Sequence, residues 1–346
     1  MAESGTYRYS LENDYSELAH QDILSALSAI GTKQFDGYGL DEYSYRASQL
    51  IKSRVAAPAA DVHFIGGGTH ANLVVLSSIL RPHEAVIALG SGHIFVHEAG
   101  AIEATGHKIC AAKGDNGKIS ADEIKAIVDE HSDEHMVMPR VVYISQSTEA
   151  GTIYKKSELA VLSECCRRNG LFLFLDGARL GAAMNSPVCD LVLSDIAELT
   201  DVFYIGGTKN GALFGEAIVI CNEILKPEFR YHLKQKGAML AKGAAIGLQF
   251  EALFGGGLFD DIAKHANATA AKLADGIRRL GYDFLYPVES NMIFPVFPSG
   301  IVAMLHGKYA FHDWVNMGDK TAVRLVASWA TPDSIIDGFL ADLAAL

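Results

Sequence analysis

The chain has 346 residues, of which 49% are hydrophobic, so it can bury a large core and fits one large domain with a smaller one. Its net charge is −12 without any lysine-arginine run, which argues against nucleic acid or an anionic membrane as the main partner. No apolar stretch approaches the roughly 20 residues of a membrane span, and no secretory signal opens the sequence. The five cysteines are irregularly spaced, which predicts reduced thiols in a cytoplasmic protein.

Helical and strand patterns alternate from about residue 20 to residue 220. Helical periodicity predicts helices at 21–29, 72–80, 98–105, 121–129 and 156–168. Short apolar runs predict strands at 84–89, 140–145, 171–175, 202–205 and 217–221. This alternation favours an α/β fold with a mainly parallel central sheet and helices on both faces. In such sheets ligands bind beyond the carboxyl ends of the strands.

The pattern changes after about residue 225. Long helical stretches at 238–254 and 258–280 precede strand-like pieces at 293–297 and 323–327 and a helix from residue 332, which predicts a smaller C-terminal α+β domain. We therefore divide the chain into an N-terminal segment that joins the small domain or the active site, a large ligand-binding domain and a small domain, with bounds 1–20, 21–245 and 246–346.

Two of the predicted strands lead into charged residues. Asp176 follows the strand at 171–175, and Lys209 follows the strand at 202–205 through a Gly-Gly-Thr turn. This pair is what a pyridoxal phosphate (PLP) enzyme needs, because a lysine forms a Schiff base with the aldehyde and an aspartate keeps a proton on the pyridine nitrogen. A lysine amine becomes nucleophilic when its surroundings lower its pKa. We predict PLP as the cofactor, with Lys209 and Asp176 as catalytic residues.

The sequence around these residues resembles that of the threonine aldolase and β-eliminating lyase family. The matching segments are Asp-Gly-Ala-Arg from Asp176, Gly-Gly-Thr-Lys-Asn-Gly around Lys209, and Gly-Glu-Ala from Gly215, and the likeness extends from Asn13 to Arg324. The family consists of PLP enzymes with the aspartate aminotransferase fold. The resemblance therefore implies the PLP-dependent transferase fold type I with a smaller C-terminal α+β domain.

The resemblance assigns further residues to the cofactor. Gly68 and Thr69 precede a predicted helix, and helix N-termini bind phosphate, although an ordinary turn with a helix cap is the alternative. Thr208 would add a hydroxyl to the phosphate. Arg179 would contact the phenolic oxygen of PLP. Lys242 would reach the phosphate of a neighbouring subunit, with a solvated helix lysine as the alternative.

The family places a histidine against the PLP ring, and His93 matches that position, with Glu98 and Gly100 following. His93 and His97 are spaced as a metal pair would be on a helix. No third ligand is evident in the sequence nearby, so we predict no metal site.

Arg324 is a lone cation in an apolar strand and needs a partner there. The resemblance assigns it to the carboxylate of an amino-acid substrate, which suits its bidentate geometry, with an internal salt bridge as the alternative. Asn13 and Asp14 resemble the family's Ser-Asp substrate-binding start, with Asn13 where serine is usual. Tyr38 would approach the cofactor, either within one chain or across a dimer interface.

Glu149 is the main departure from the family. Many threonine aldolases carry a histidine here, close to the β-hydroxyl of the substrate. A glutamate can accept the hydroxyl proton, and we predict that role for Glu149. The alternative is that Glu149 caps a turn near Gly151 while a water held by His93 performs the chemistry.

These features predict a PLP-dependent aldolase that cleaves a β-hydroxy-α-amino acid to glycine and an aldehyde. Threonine, allo-threonine and an aromatic analogue such as phenylserine are the candidate substrates. We expect a homodimer or homotetramer whose sites are completed across the interface. The alternatives are a PLP-dependent β-eliminating lyase and a non-catalytic paralogue of the same fold.

Overall fold

The structure is a computed structural model that describes residues 7–346, so the first part of the predicted N-terminal segment lies outside it. The helices are α1 (Gln21–Ala29), α2 (Glu42–Arg54), α3 (Gly68–Ile79), α4 (His93–Val96), α5 (Ala121–Glu130), α6 (Lys156–Arg168), α7 (Leu180–Met184), α8 (Leu193–Leu199), α9 (Phe229–Gln235), α10 (Ala244–Gly255), α11 (Leu258–Arg279), α12 (Ser299–His306) and α13 (Asp333–Ala344). The strands are β1 (Tyr9–Ser10), β2 (Asp61–Ile65), β3 (Glu84–Leu89), β4 (Ile109–Ala112), β5 (Met138–Ser145), β6 (Phe172–Asp176), β7 (Val202–Gly206), β8 (Glu216–Ile220), β9 (Met292–Ile293), β10 (Val296–Pro298), β11 (Tyr309–Ala310), β12 (His312–Asn316) and β13 (Lys320–Val326).

A seven-stranded sheet in the order β2-β8-β7-β6-β5-β3-β4 forms the centre of the large domain. Its strands are parallel except β8, which runs antiparallel to both β7 and β2. The prediction of a mainly parallel sheet is therefore confirmed. The carboxyl ends of β5, β6 and β7 lie at one edge, where Ser145 pairs in register with Asp176. The amino end of the reversed strand β8 reaches the same edge, so Glu216 pairs with Gly206 there.

Both faces of this sheet are covered, as its apolar strands require. Alternate residues of one strand enter two different cores: Leu173 packs into one with Leu159 of α6, and Phe174 packs into the other with Val74 of α3. Because both faces are covered by apolar side chains, polar residues at the carboxyl ends of the parallel strands meet solvent or ligand at that edge of the sheet.

The C-terminal part builds a second, smaller core around an antiparallel sheet of β9, β10, β12 and β13. Helices α11, α12 and α13 contribute to that core, and Leu11 from the N-terminal segment is fully buried in it. Helix α10 crosses the predicted boundary between residues 245 and 246, and its Ile246 and Phe250 pack into the core of the large sheet. The division into domains stays a prediction.

Two predicted helices are wrong in detail. Residues 98–105 do not form one helix, because Ala99 and Gly100 adopt left-handed backbone conformations with φ of 50° and 73°, and only a short 3₁₀ turn follows at Glu103–Thr105. The predicted helix at 238–254 begins only at Ala244, because residues 241–243 form a turn that ends at Gly243. In both segments a turn that contains glycine interrupts an apolar pattern of helical period.

Candidate active site

A cavity of about 310 Å³ opens at the carboxyl edge of the large sheet. Its walls come from the glycine turn at the start of α3, the start of α4, the segment after β5, the ends of β6 and β7, the start of β8, and the N-terminal segment. It brings together eight of the residues predicted from the sequence, namely Gly68, Thr69, His93, Glu149, Asp176, Arg179, Thr208 and Lys209.

Lys209 lies in the turn after β7 with its amine directed into this cavity. Burial and the nearby charge of Arg179 lower the pKa of the Lys209 amine below its ordinary value. A lysine in this state has a larger share of the neutral, nucleophilic amine. The ring of Tyr15 lies with its centroid 5.9 Å from Lys209 Nζ.

Glu216 is a site residue to which the sequence analysis gave no role. One oxygen accepts a hydrogen bond from the Gly207 amide and the other from the Thr208 hydroxyl, each at 2.8 Å. Burial raises the pKa of Glu216 to about 7, although these donors and the charge of Lys209 oppose the rise. The carboxyl group therefore fixes the turn that carries Lys209, and it engages the Thr208 hydroxyl that was predicted to bind phosphate.

Asp176 is held by four donors. Tyr143 and Tyr204 each donate from the phenol at 2.5 Å, the Ala178 amide donates at 2.9 Å, and the Asn72 side chain donates at 3.2 Å. Burial raises the pKa of both tyrosines well above the ordinary value, so they stay protonated and remain donors. These four hydrogen bonds fix the Asp176 side chain in position.

His93 is oriented by a second buried carboxylate. Its Nδ1 lies 2.8 Å from Glu98, whose side chain has no exposed surface and also accepts from Asn72 at 2.7 Å. Within residues 7–346 the other ring nitrogen, Nε2, has no protein partner. Asn72 links Glu98 to Asp176, so a continuous hydrogen-bonded network joins His93 to the aspartate at the end of β6.

Glu149 reaches the cavity from the segment after β5. One of its oxygens accepts from the Ser145 hydroxyl at 2.8 Å and from the backbone amide of His93 at 2.9 Å. It does not cap the turn at Gly151, whose amide bonds instead to the carbonyl of Thr148. Burial raises the pKa of the Glu149 carboxyl above its ordinary value, which makes it a stronger base when ionised.

Asp14 does not face the cavity. Its two oxygens bind Arg179 at 2.7 and 3.0 Å, and Asn291 donates to it at 3.0 Å. Its predicted direct contact with the substrate is therefore replaced in this structure by a contact that positions Arg179. Asn13 accepts from the backbone of Tyr15 and from the Ser16 hydroxyl, each at 3.0 Å, and so shapes the turn that presents Tyr15.

Arg324 lines a second cavity of about 450 Å³ that shares Tyr15, His93, Arg179 and Lys209 with the first. It donates to the Glu12 carbonyl at 3.1 Å and lies over Trp314 at 5.5 Å. No carboxylate in the described part of the chain pairs with it, and its Nε is buried without a partner. The internal salt bridge weighed as an alternative is thus not formed between residues 7 and 346.

Tyr38 and Lys242 lie outside both cavities. Tyr38 lines a separate cleft of about 260 Å³, and its amide bonds to the carbonyl of Ala241, next to the exposed Lys242. The structure does not bring them to Lys209 within one chain. Their predicted roles would need a second subunit.

The cavity fits a phosphorylated pyridine cofactor. A Cβ atom added at Gly66 or Gly67 would have no other atom within 4 Å, so there is open space beside the turn before α3. The backbone amides in the first turn of α3 adjoin this space, and amides at a helix N-terminus favour the binding of an anion. A buried carboxylate and a lysine amine lie on the other walls of the same cavity, and no atom of residues 7–346 hydrogen-bonds to the buried Nε of Arg324 nearby. This donor set suits the phosphate, the ring nitrogen and the aldehyde of PLP together with a substrate carboxylate.

Among residues 7–346 no group of three or more His, Cys, Asp and Glu side chains is arranged to hold a metal ion. In the same range no helix is both long and apolar enough to span a membrane.

Comparison with known proteins agrees with this geometry. A family model described as beta-eliminating lyase matches residues 24–318. A low specificity L-threonine aldolase from a Pseudomonas species is 32% identical over 318 residues, covering 89% of each chain. A solved structure of Leishmania major threonine aldolase has a TM-score of 0.96 at 45% identity, covering 97% of this chain and 99% of that one. A variant of Thermus thermophilus aspartate aminotransferase, 14% identical with a TM-score of 0.74 over 98% of this chain and 91% of its own, shares the fold.

Proposed function

The chain belongs to the beta-eliminating lyase family, and we infer that it is a PLP-dependent lyase of the threonine aldolase type. It cleaves β-hydroxy-α-amino acids, including threonine, to glycine and an aldehyde. The observation that carries this proposal is the meeting of Lys209, Asp176 and the glycine turn before α3 in one cavity. The matches to threonine aldolases support it.

When bound, PLP supplies a ring that accepts the electron pair released as the Cα–Cβ bond breaks. In our proposal Lys209 holds its aldehyde, Asp176 its ring nitrogen, and Gly68 and Thr69 its phosphate. His93 would lie against the ring. Arg179, which Asp14 holds in place, would contact the phenolic oxygen.

The remaining residues act on the substrate. Arg324 has no carboxylate of its own in the described chain and binds the α-carboxylate of the amino acid. Glu149 accepts the proton of the β-hydroxyl through the oxygen that Ser145 and His93 leave free. The donors on its other oxygen keep the carboxylate in place while it does so.

Product analysis tests the function. Purified protein reconstituted with PLP and incubated with threonine, allo-threonine and phenylserine should release glycine and the matching aldehyde in equal amounts. Ammonia with a keto acid would instead identify a β-elimination. No turnover on any β-hydroxy amino acid would reject the proposal.

We also propose a homodimer or homotetramer. The cleft beside Tyr38 and Lys242 is bordered by Leu40, Tyr45 and Leu240, which are 66%, 66% and 38% exposed. Such a group of exposed apolar side chains favours a subunit interface. Light scattering of the active protein should give at least twice the mass of one chain, and an active monomer would contradict this.

We further propose a cytoplasmic location. Its support is that all five cysteines are free of disulfide bonds. Cell fractionation that found the protein in an oxidising compartment would overturn it.

A further inference from the structure

Glu216 lies between two turns that line the cavity of Lys209. In the sheet it pairs with Ile65 of β2 on one side and with Gly206 of β7 on the other. The glycine turn before α3 follows Ile65 directly, and the turn that carries Thr208 follows Gly206. The glycine turn, Thr208 and Glu216 all line the same cavity. Glu216 is therefore the carboxyl group next to the place where the glycine turn would hold a phosphate.

The hydroxyl of Thr208 has a single proton, and Glu216 already accepts it. Thr208 Oγ donates to Glu216 Oε1 at 2.8 Å and accepts a hydrogen bond from the Gly215 amide at 3.0 Å. The other oxygen of Glu216 accepts from the Gly207 amide at 2.8 Å. A hydroxyl group has one donor and two acceptor positions, so this arrangement leaves Thr208 with only a lone pair to offer. A phosphate oxygen needs a donor, and Thr208 cannot supply one while Glu216 accepts from it.

Protonation of Glu216 removes this conflict. A neutral carboxyl group has an O–H that can donate to the Thr208 oxygen, which leaves the Thr208 proton free for a phosphate oxygen. Burial already raises the pKa of Glu216 to about 7, although its hydrogen bonds to Thr208 and Gly207 oppose the rise. A phosphate ester is a dianion above its second pKa of about 6. Its charge beside a buried carboxyl group favours the neutral form further.

The other ionisable groups around Glu216 have roles of their own. The charge of Lys209 favours the ionised form of Glu216, and that of Asp176 disfavours it. Burial raises the pKa of Tyr204 well above its ordinary value, so this phenol stays protonated. The glycine turn at 66–69 contributes no ionisable side chain. Since Lys209 and Asp176 are assigned above to the aldehyde and the ring nitrogen, Glu216 remains as the ionisable group beside the phosphate.

We propose that Glu216 takes up one proton from solvent when the cofactor phosphate binds, and that it then donates to Thr208 so that the Thr208 hydroxyl can donate to the phosphate. Glu216 is thus a positioning residue that acts through Thr208. This inference rests on the PLP-dependent function proposed above. Glu216→Gln imitates the protonated form, because its amide nitrogen can donate to Thr208 while its oxygen accepts from the Gly207 amide.

The test uses full-length protein from which PLP has been removed and which regains its visible absorbance on reconstitution. The probes are pyridoxamine 5′-phosphate and pyridoxamine, which differ only in the phosphate and cannot form a Schiff base with Lys209. Titration calorimetry at pH 7.5, in two buffers with different ionisation enthalpies, counts the protons taken up on binding. The wild type should take up roughly 0.8 proton more with the phosphate probe than with pyridoxamine, because a group with a pKa of about 7 is mostly ionised at this pH.

Glu216→Gln should show no such difference between the two probes. The affinity that the wild type gains from the phosphate should also fall as pH rises above 7, by up to about tenfold per pH unit, because the proton that Glu216 must take up becomes scarcer. In Glu216→Gln this fall should be several-fold smaller between pH 7 and pH 8.5. A purely structural role of Glu216 would change the affinity at every pH alike.

Glu149→Gln is the matched control, since it makes the same change in another carboxyl group of this cavity. Glu149 bonds to Ser145 and to the His93 amide and not to the two turns beside Glu216, so this variant should keep the wild-type proton uptake. Thr208→Ser keeps the hydroxyl and should keep the uptake, whereas Thr208→Ala should lose it. Equal uptake in the wild type and Glu216→Gln, with the phosphate probe bound, would overturn the role of Glu216 and leave the function standing. If the wild type binds neither the phosphate probe nor PLP, the proposed function fails as well.

Discussion

Replacing Glu149 with glutamine isolates its role as a base. In the structure one carboxylate oxygen is occupied by Ser145 and by the His93 amide, and a glutamine oxygen can accept the same two hydrogen bonds. The variant should therefore fold normally and lose only the basic oxygen. A general base contributes roughly 10²–10⁴-fold in rate, which corresponds to about 3–5 kcal/mol in the activation barrier.

The assay measures single-turnover cleavage of one β-hydroxy amino acid, with glycine binding as the control because glycine has no β-hydroxyl. Because burial raises the pKa of Glu149, the wild-type rate should fall as pH decreases through that raised value, and Glu149→Gln should lose this acidic limb. A loss smaller than about tenfold, together with a larger loss in His93→Asn, would refute the reasoning. Such a result would assign the proton transfer to a water held by His93.

Three further predictions concern the residues around the cavity. Borohydride treatment of the PLP-loaded protein should abolish its visible absorbance and label the peptide containing Lys209, whereas label on another lysine would reject that assignment. Arg324→Ala should weaken glycine binding by about 2–4 kcal/mol while PLP binding is retained, and unchanged glycine affinity would make Arg324 structural. Asp14→Ala should destabilise the fold by about 3–5 kcal/mol in urea unfolding, because it leaves Arg179 buried without a partner. The charge of Arg179, although opposed by burial, holds the pKa of Asp14 below its ordinary value, so this stabilisation should be present above the unfolded-state pKa and be lost as pH falls through the folded one.

The sequence was enough to predict that Asp176 and Lys209 would lie close together. Asp176 and Lys209 each end an apolar run, and parallel strands bring their carboxyl ends to one edge, so their meeting follows from local pattern and topology. This reasoning missed Glu216, because Glu216 lies at the beginning of a strand and not at its end. Only the antiparallel direction of β8 brings it to the same edge, and strand direction is not visible in an apolar run.

The ion pair between Asp14 and Arg179 also could not be predicted from the sequence. Each residue was read as contacting a small molecule, because a charged residue near a motif gives no sign of a distant protein partner. Their separation along the chain means that only tertiary packing brings them together. The false helix at 98–105 has the opposite origin, since its apolar periodicity was real but Ala99 and Gly100 adopt backbone angles that a helix cannot contain.

The contacts of Asp14 have a consequence for the order in which this protein matures. The carboxylate joins three chain segments that lie far apart, since it binds Arg179 from the large domain and Asn291 from the C-terminal part. Contacts of such high sequence separation require long loops to close and so form late in folding. During synthesis the large sheet can form as soon as β8 has emerged, whereas Asn291 is made only afterwards. A nascent chain would thus complete its scaffold first and its catalytic pocket last.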